Sequence, residues 1–257
     1  MSRTHGTKDF WLTALRADGA AFLAAVGEPG VATAMVPSCP DWSVGDLVRH
    51  LGGVYRRTRS NAGSGAIDQH WGPVVIPDDA PAATDERLVP WFAAEMAQLD
   101  AFLDALDSDL PAWNWAPQAK TAAFWHRRMA HETAVHRWDA QVATGLPEPL
   151  ESKLAGDTVA EVLDTFLPAG RRRGPADAFG VVHLVAADLG HDWYVRLRGD
   201  GVALLDTDTL LDDDAHPARA AASGTASDLA LALWARVAFD VVDAAGDHAL
   251  LKALRVA

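Results

Sequence analysis

A short break at residues 145–149 divides the chain into two halves with different hydrophobic patterning. The break reads Gly-Leu-Pro-Glu-Pro, and two prolines with a glycine do not continue a helix. Before the break, loops rich in Pro, Gly and Asp separate four long segments with helical spacing. The segments cover about 8–26, from just after Trp42 to about 60, 85–106 and 121–144. Four such helices favour a helix bundle over residues 1–146.

Strand-like segments occur only after the break. Residues 179–187 (FGVVHLVAA), 193–198 (WYVRLR) and 201–205 are typical of strands, and 218–222 is a weaker fourth. Helical patterning flanks them at 151–166, 226–237 and 247–255. We therefore predict an α+β chain, in which the bundle is followed by a smaller α/β domain over residues 150–257.

The charge balance and the cysteine count limit the partners. The 257 residues include 35 acidic and 22 basic ones, for a net charge of −13, which argues against binding to nucleic acid. The chain contains no apolar run of about 20 residues, so we expect no association with a membrane. One cysteine, Cys39, allows no internal disulfide and favours the reducing cytoplasm. The acidic surface is compatible with either a monomer or a homodimer.

The second helical segment carries a histidine beside an apolar stripe. Ser43, followed three residues later by Asp46, forms a capping-box pattern that starts a helix. At about 100° per residue, His50 falls at the edge of the stripe that contains Leu47 and Val54. Asp46 lies one turn before His50 on the same side. Taken alone, this pattern is more typical of a surface histidine than of a metal ligand.

The fourth helical segment places two titratable side chains in the middle of an apolar face. Glu132 and His136 are four residues apart, so they lie one above the other. The rest of that face consists of Ala122, Trp125, Met129, Ala140 and Ala143. A buried carboxylate and imidazole are costly unless they pair with each other or bind a metal. The segment alone leaves both interpretations open.

The neighbours of this pair have alternative interpretations. His131 gives the segment a likeness to the HExxH motif of zinc proteases, but the next histidine is five positions on. Residues i and i+5 are about 140° apart on a helix and cannot share a metal from one face, so we reject the protease motif. Arg128 is either a surface charge or a partner for Glu132 or a substrate carboxylate. Asp139 is either a surface charge or a hydrogen-bond partner for a metal ligand.

Two blocks of this sequence together resemble the mycothiol-dependent maleylpyruvate isomerase family of actinobacteria. They are VPSCPDWSVGDLVRHL (36–51) and RMAHETAVHRWD (128–139), which are similar to the family's signature blocks in order and separation. A weaker similarity covers SGTASDLALALWAR (223–236), where the family usually has Leu-Trp-Gly-Arg and this chain has Ala235 in place of the glycine. The resemblance implies a DinB-like four-helix bundle followed by a small α/β domain similar to sterol-carrier folds, in agreement with the break at 145–149.

Transferred residue by residue, the resemblance implies a divalent metal, most simply zinc, bound by His50, Glu132 and His136. Two imidazoles and a carboxylate with an open fourth position are typical of a catalytic zinc site. Helix bundles build such sites from side chains on facing helices. Asp46 and Asp139 would stand behind the ligands and orient them by hydrogen bonds.

The resemblance also implies the chemistry. Zinc would hold the sulfur of a low-molecular-weight thiol, mycothiol, as the thiolate, which attacks a small electrophilic substrate. In the isomerase, the thiolate adds to a cis double bond, the new single bond rotates, and elimination gives the trans isomer. In relatives, the thiol would be transferred to the substrate. Arg128 and Arg236 would hold carboxylates of the substrate or the thiol.

Two other functions fit the same residues. One is hydrolysis of a thiol conjugate or small amide by a zinc-bound water, and the other is metal or ligand binding without catalysis. Cys39 is interpreted as a packed small residue or as a further thiolate. Trp42, Trp125 and Trp138 are interpreted as core residues or as pocket lining. We expect residues 61–84 to form a loop at the pocket edge, and the sequence does not identify the physiological substrate.

Overall fold

The computed structural model describes residues 6–68, 72–199, 201–205 and 218–256. These residues form two compact units, one over Gly6–Glu148 and one from Pro149 onward. The first unit is helical and the second contains a five-stranded sheet, so the predicted α+β class is confirmed. Within the described residues, no helix is both long enough and apolar enough to cross a membrane.

Four long helices make up the first unit. They are α1 (Lys8–Val26), α2 (Val44–Ala62), α3 (Leu88–Ala105) and α4 (Ala123–Thr144). Local residues fix where α2 begins and where α4 ends. The Ser43 hydroxyl accepts from the Asp46 backbone N–H, and the Asp46 carboxylate accepts from the Ser43 backbone, which completes a capping box. Gly145 closes α4 with a φ of 80°, a left-handed conformation that glycine adopts without steric cost.

Helix α4 runs through the interior of the bundle. Most of its side chains are buried, including the charged Arg127, Arg128, Arg137 and Asp139. Burial of so many polar groups requires partners. Tyr55 of α2 lies 2.7 Å from the Thr133 hydroxyl, and Arg137 donates to Asp18 of α1 at 2.9 Å. These contacts fix the rotation and the height of α4 against its neighbours.

The second unit begins with helix α5 (Ser152–Glu161), which continues as a π-helical turn, Val162–Phe166. Its sheet has the order β3-β2-β1-β4-β5. The strands are β1 (Phe179–Ala186), β2 (His191–Arg198), β3 (Gly201–Leu205), β4 (Arg219–Gly224) and β5 (Asp243–Gly246). β1 and β4 are parallel and the other pairs are antiparallel. Helices α6 (Ala226–Leu233) and α7 (His248–Ala253) complete the unit.

Helix α6 is shorter than its sequence pattern predicts. We expected it to reach residue 237, but it ends at Leu233, and Ala235 has a φ of 57°. That value lies in the left-handed region, which costs an L-residue with a Cβ about 1–2 kcal/mol. Glycine adopts this conformation without such a cost, and glycine is the usual residue at this position in the family that the sequence resembles.

Replacing Ala235 with glycine is expected to stabilise the second unit by about 0.5–1 kcal/mol. The gain is the relief of the left-handed strain, reduced by the larger backbone entropy of glycine in the unfolded chain. Ala235 is exposed, so few contacts are lost. The measurement is the free energy of unfolding in denaturant. The matched control is Ala101→Gly, at an exposed position inside α3, which should lose about 1 kcal/mol. If Ala235→Gly is less stable than the wild type, the backbone at Ala235 is not strained as proposed.

Candidate metal centre

Three side chains from two helices of the bundle converge on one point. His50 comes from α2, and Glu132 and His136 come from successive turns of α4. His50 Nε2 lies 3.6 Å from Glu132 Oε1, and His136 Nε2 lies 3.4 Å from the same oxygen. One ligand atom from each residue lies within 4.8 Å of the other two. Ligand atoms about 2 Å from a tetrahedral zinc ion are separated by about 3.3 Å, so these distances suit one metal ion.

The charges around Glu132 keep its carboxylate ionised. Burial by itself raises the pKa of this group. Arg128, which donates to Oε2 at 2.7 Å, and the two histidines outweigh that effect and hold the pKa of Glu132 well below its usual range. A charged carboxylate is the form that binds a divalent cation.

His136 is held by carboxylates at both ring nitrogens. Burial lowers the pKa of His136, but the hydrogen bonds to Asp139 and Glu132 outweigh it, so that the pKa is raised. Asp139 Oδ2 lies 2.9 Å from Nδ1 and, as an acceptor, requires a proton on that nitrogen. In the neutral imidazole, Nε2 then carries the lone pair and faces His50 and Glu132.

The triad is buried on one side and reachable on the other. The His136 side chain is 9% exposed, whereas His50 and Glu132 are 23% and 17% exposed. The ring of Trp42 lies beside His50, with ring centroids 4.7 Å apart. His50 and His136 meet edge to face at 5.3 Å. The arrangement therefore has a fixed wall of α4 side chains and an approach for a small molecule past His50 and Glu132.

The remaining residues proposed from the sequence lie in different places. Arg128 is buried and paired with Glu132. Asp46 directs its carboxylate to Ser43 and serves the start of α2. Arg236 lies in the second unit, where it donates to the carbonyl of Trp234. Trp125 is a core residue that donates to the carbonyl of Trp113.

The loop that precedes α2 places the Ser38 hydroxyl and the Cys39 thiol beside Asp139, and the sequence did not single out Ser38. Ser38 donates to Asp139 Oδ1 at 2.5 Å, and Cys39 Sγ lies 3.6 Å from Asp139 Oδ2. Cys39, His136 and Asp139 also have ligand atoms within 4.8 Å of one another. The position of Ser38 next to Cys39 in the first sequence block was the only available signal. Its partner lies 101 residues away, so the contact depends on the tertiary fold.

A cleft of about 290 Å³ lies against α2 and is lined in part by the segment expected to edge a pocket, through Pro73, Val75, Ile76, Pro77 and Asp78. The other residues of that lining are Gly53, Arg56, Arg57 and Ser60. The cleft therefore does not contain the three converging side chains. Residues 69–71 of the segment lie outside the described part of the chain.

Comparisons with known proteins identify a family and two similar solved structures. The family model described as the mycothiol maleylpyruvate isomerase N-terminal domain matches residues 12–141. Two solved structures are similar over 93% of this chain and 93% of theirs, at 12% identity. One is the mycothiol-dependent maleylpyruvate isomerase, with a TM-score of 0.60, and the other is a histidine-to-alanine mutant of it, with a TM-score of 0.61. At this identity, the similarity establishes the fold. The search of curated proteins found no match.

Proposed function

This chain belongs to the mycothiol maleylpyruvate isomerase family, and from that premise we propose that it is a zinc- and mycothiol-dependent cytoplasmic enzyme. It isomerises a small electrophilic substrate or conjugates it with the thiol. The observation that carries the proposal is the convergence of His50, Glu132 and His136 within ligand distance of one another. Small molecules, and not nucleic acids or membranes, are its partners.

The residues present fit a zinc ion. Two imidazoles and one carboxylate are a common donor set for a catalytic zinc with an open position. The ligand atoms already have separations close to those of a loaded site. The hydrogen bond from His136 Nδ1 to Asp139 turns the lone pair of Nε2 toward the centre. A bound zinc ion would supply Lewis acidity that holds the co-substrate thiol as its nucleophilic thiolate.

The protein's own side chains then have distinct tasks. His50, Glu132 and His136 hold the ion, and Arg128 keeps the Glu132 carboxylate ionised and oriented. Trp42 packs against one side of His50. We assign Arg128 to Glu132 first, since its guanidinium is buried there. Arg236 stays our proposed contact for a carboxylate of the substrate or the thiol.

In the isomerisation, the thiolate adds to one carbon of a cis double bond conjugated to a carbonyl group. The electron pair of that bond moves toward the carbonyl, and the remaining single bond rotates. Elimination of the same thiolate restores the double bond in the trans form, so the thiol is regenerated. In the transfer reaction, the adduct is protonated at carbon and does not eliminate the thiolate, so the thiol stays attached to the substrate.

The test is a metal and activity assay on the purified chain. We expect about one equivalent of zinc per chain and thiol-dependent isomerisation of maleylpyruvate, or consumption of mycothiol with another electrophile. Hydrolysis of a mycothiol conjugate or a small amide without net thiol consumption would favour the hydrolase. Zinc binding without any turnover would favour a binding protein. A chain that binds no divalent metal would contradict the proposed function.

A further inference from the structure

The loop over residues 36–43, here the 36–43 loop, is built as a rigid support beside the metal centre. The backbone of Val36 donates to the carbonyl of Trp42 at 2.9 Å, and Cys39 donates back to Val36 at 3.0 Å. Trp42 also donates to the carbonyl of Cys39 at 3.1 Å. Asp41 takes a φ of 71° to close the turn. With these bonds the loop cannot shift one residue without moving the others.

This loop contacts His50 directly and reaches His136 through Asp139. Trp42 lies against the ring of His50, and Ser38 reaches Asp139, which in turn holds His136. Asp139 is fully buried, so its two carboxylate oxygens have to be satisfied within the protein. Oδ1 accepts from Ser38, and Oδ2 accepts from His136 Nδ1 and, over a longer distance, from the Cys39 thiol. The result is a chain of hydrogen bonds from the loop to a metal ligand.

The hydroxyl of Ser38 has a mechanical consequence for His136. The χ2 torsion of a carboxylate is broad, so bonds at one of its oxygens restrict its rotation only in part. A second bond at the other oxygen fixes the plane of the group. The direction of the Nδ1 hydrogen bond fixes the plane of the imidazole, and hence the direction of the lone pair on Nε2. Ser38 therefore limits the orientation of a ligand that it does not touch.

We propose that Ser38 is a positioning residue of the metal centre, which acts through Asp139 to hold His136 in its metal-binding orientation. The inference rests on the proposed function, because it presupposes that His50, Glu132 and His136 bind a metal. It adds a residue from the 36–43 loop, 101 positions from Asp139 in the chain, to the groups that determine metal affinity.

The experiment is a double-mutant cycle on zinc affinity with Ser38→Ala, Asp139→Asn and the double variant. Zinc affinity is measured by competition with a chromogenic chelator, and the visible spectrum of the Co²⁺-loaded protein reports ligand geometry. We expect Ser38→Ala to weaken zinc binding about tenfold, as for other groups behind a metal ligand. In the Asp139→Asn background, the same change should have less than about a twofold effect, since the two residues act in series.

Three controls separate positioning from folding. Ser60→Ala removes a hydroxyl from an exposed position at the other end of α2 and should leave zinc affinity and the Co²⁺ spectrum unchanged. Ser38→Thr keeps the hydroxyl and should restore affinity to within about threefold of the wild type. The thermal unfolding of each metal-free variant confirms that it is folded.

Each outcome decides the inference. An unchanged zinc affinity in folded Ser38→Ala, or effects of Ser38→Ala and Asp139→Asn that multiply fully, would overturn it. If the wild type binds zinc and His50→Ala does not, that failure concerns Ser38 alone and leaves the proposed function intact. If the wild type binds neither Zn²⁺ nor Co²⁺, the inference fails together with the proposed function.

Discussion

With His50 replaced by alanine, the protein is expected to lose its bound zinc and more than about a thousandfold of its thiol-dependent activity. In the proposed centre, His50 is the one ligand on α2, while both other ligands belong to α4. Its removal leaves two donors one helical turn apart, which is too few to hold a catalytic zinc ion. The measurements are elemental analysis of the purified variant and the rate of isomerisation or thiol consumption under saturating metal.

The matched control for this variant is His183→Ala. His183 is also a partly exposed histidine paired with a carboxylate, at 3.0 Å from Asp192, but it lies on β1 of the second unit. It should keep its zinc and its activity. A His50→Ala protein that is folded, holds one equivalent of zinc and turns over at the wild-type rate would rule out the triad as the metal centre.

Glu132→Gln is expected to combine two losses. Zinc affinity should fall by at least about a hundredfold, because a neutral amide replaces the one anionic ligand. The metal-free protein should also lose about 2 kcal/mol of its free energy of unfolding, since Arg128 is left buried without its carboxylate. Chelator competition measures the first loss, and urea unfolding of the metal-free proteins measures the second.

The stability loss should depend on pH in a defined direction. The pKa of Glu132 is depressed in the folded protein. Its contribution is therefore complete above the pKa of the unfolded chain, about 4.3, and disappears as the pH falls through the folded-state pKa. The difference between the wild type and Glu132→Gln should thus be largest from about pH 5 to about pH 6.5 and shrink in stronger acid. It should also decline as the pH rises further, because Glu132 helps to raise the pKa of His136 and that contribution is lost when the imidazole loses its proton.

Glu95→Gln is the control that separates stability from metal binding. Glu95 of α3 is a buried carboxylate held by Arg56 and Arg59 of α2. Its loss should destabilise the bundle by a comparable amount and leave zinc affinity unchanged. Equal effects of Glu95→Gln and Glu132→Gln on zinc affinity would mean that the metal binding reports only general stability.

The sequence predicted those parts of the centre that depend on local periodicity. Glu132 and His136 share a helix face because they are four residues apart, and a helical wheel is sufficient to place them together. His50 was joined to them only through the family resemblance, because no periodicity relates α2 to α4. The contact between Ser38 and Asp139 was beyond reach, since it needs the packing of a loop against α4 at atomic detail.

For the secondary structure, too, elements with a strong local pattern were predicted and elements without one were missed. The apolar run FGVVHLVAA predicted β1, in which five of the eight residues are buried. Strand β5 escaped prediction because its four residues, Asp-Ala-Ala-Gly, carry no β-branched or aromatic side chain. The early end of α6 was missed because alanine is the best helix former, and nothing local announces the left-handed turn at Ala235.

The separation of the ligands along the chain gives the metal a second consequence. His50 and His136 are 86 residues apart in the sequence, so an ion held by both would cross-link two helices that are far apart along the chain. Free zinc at a hundred times its dissociation constant adds about 2.7 kcal/mol to the stability of the folded form. A change of this size alters the unfolded fraction, and hence proteolytic turnover, by about a hundredfold. On the proposed metal site, a cell short of zinc would therefore hold less of this protein, and not only a less active form of it.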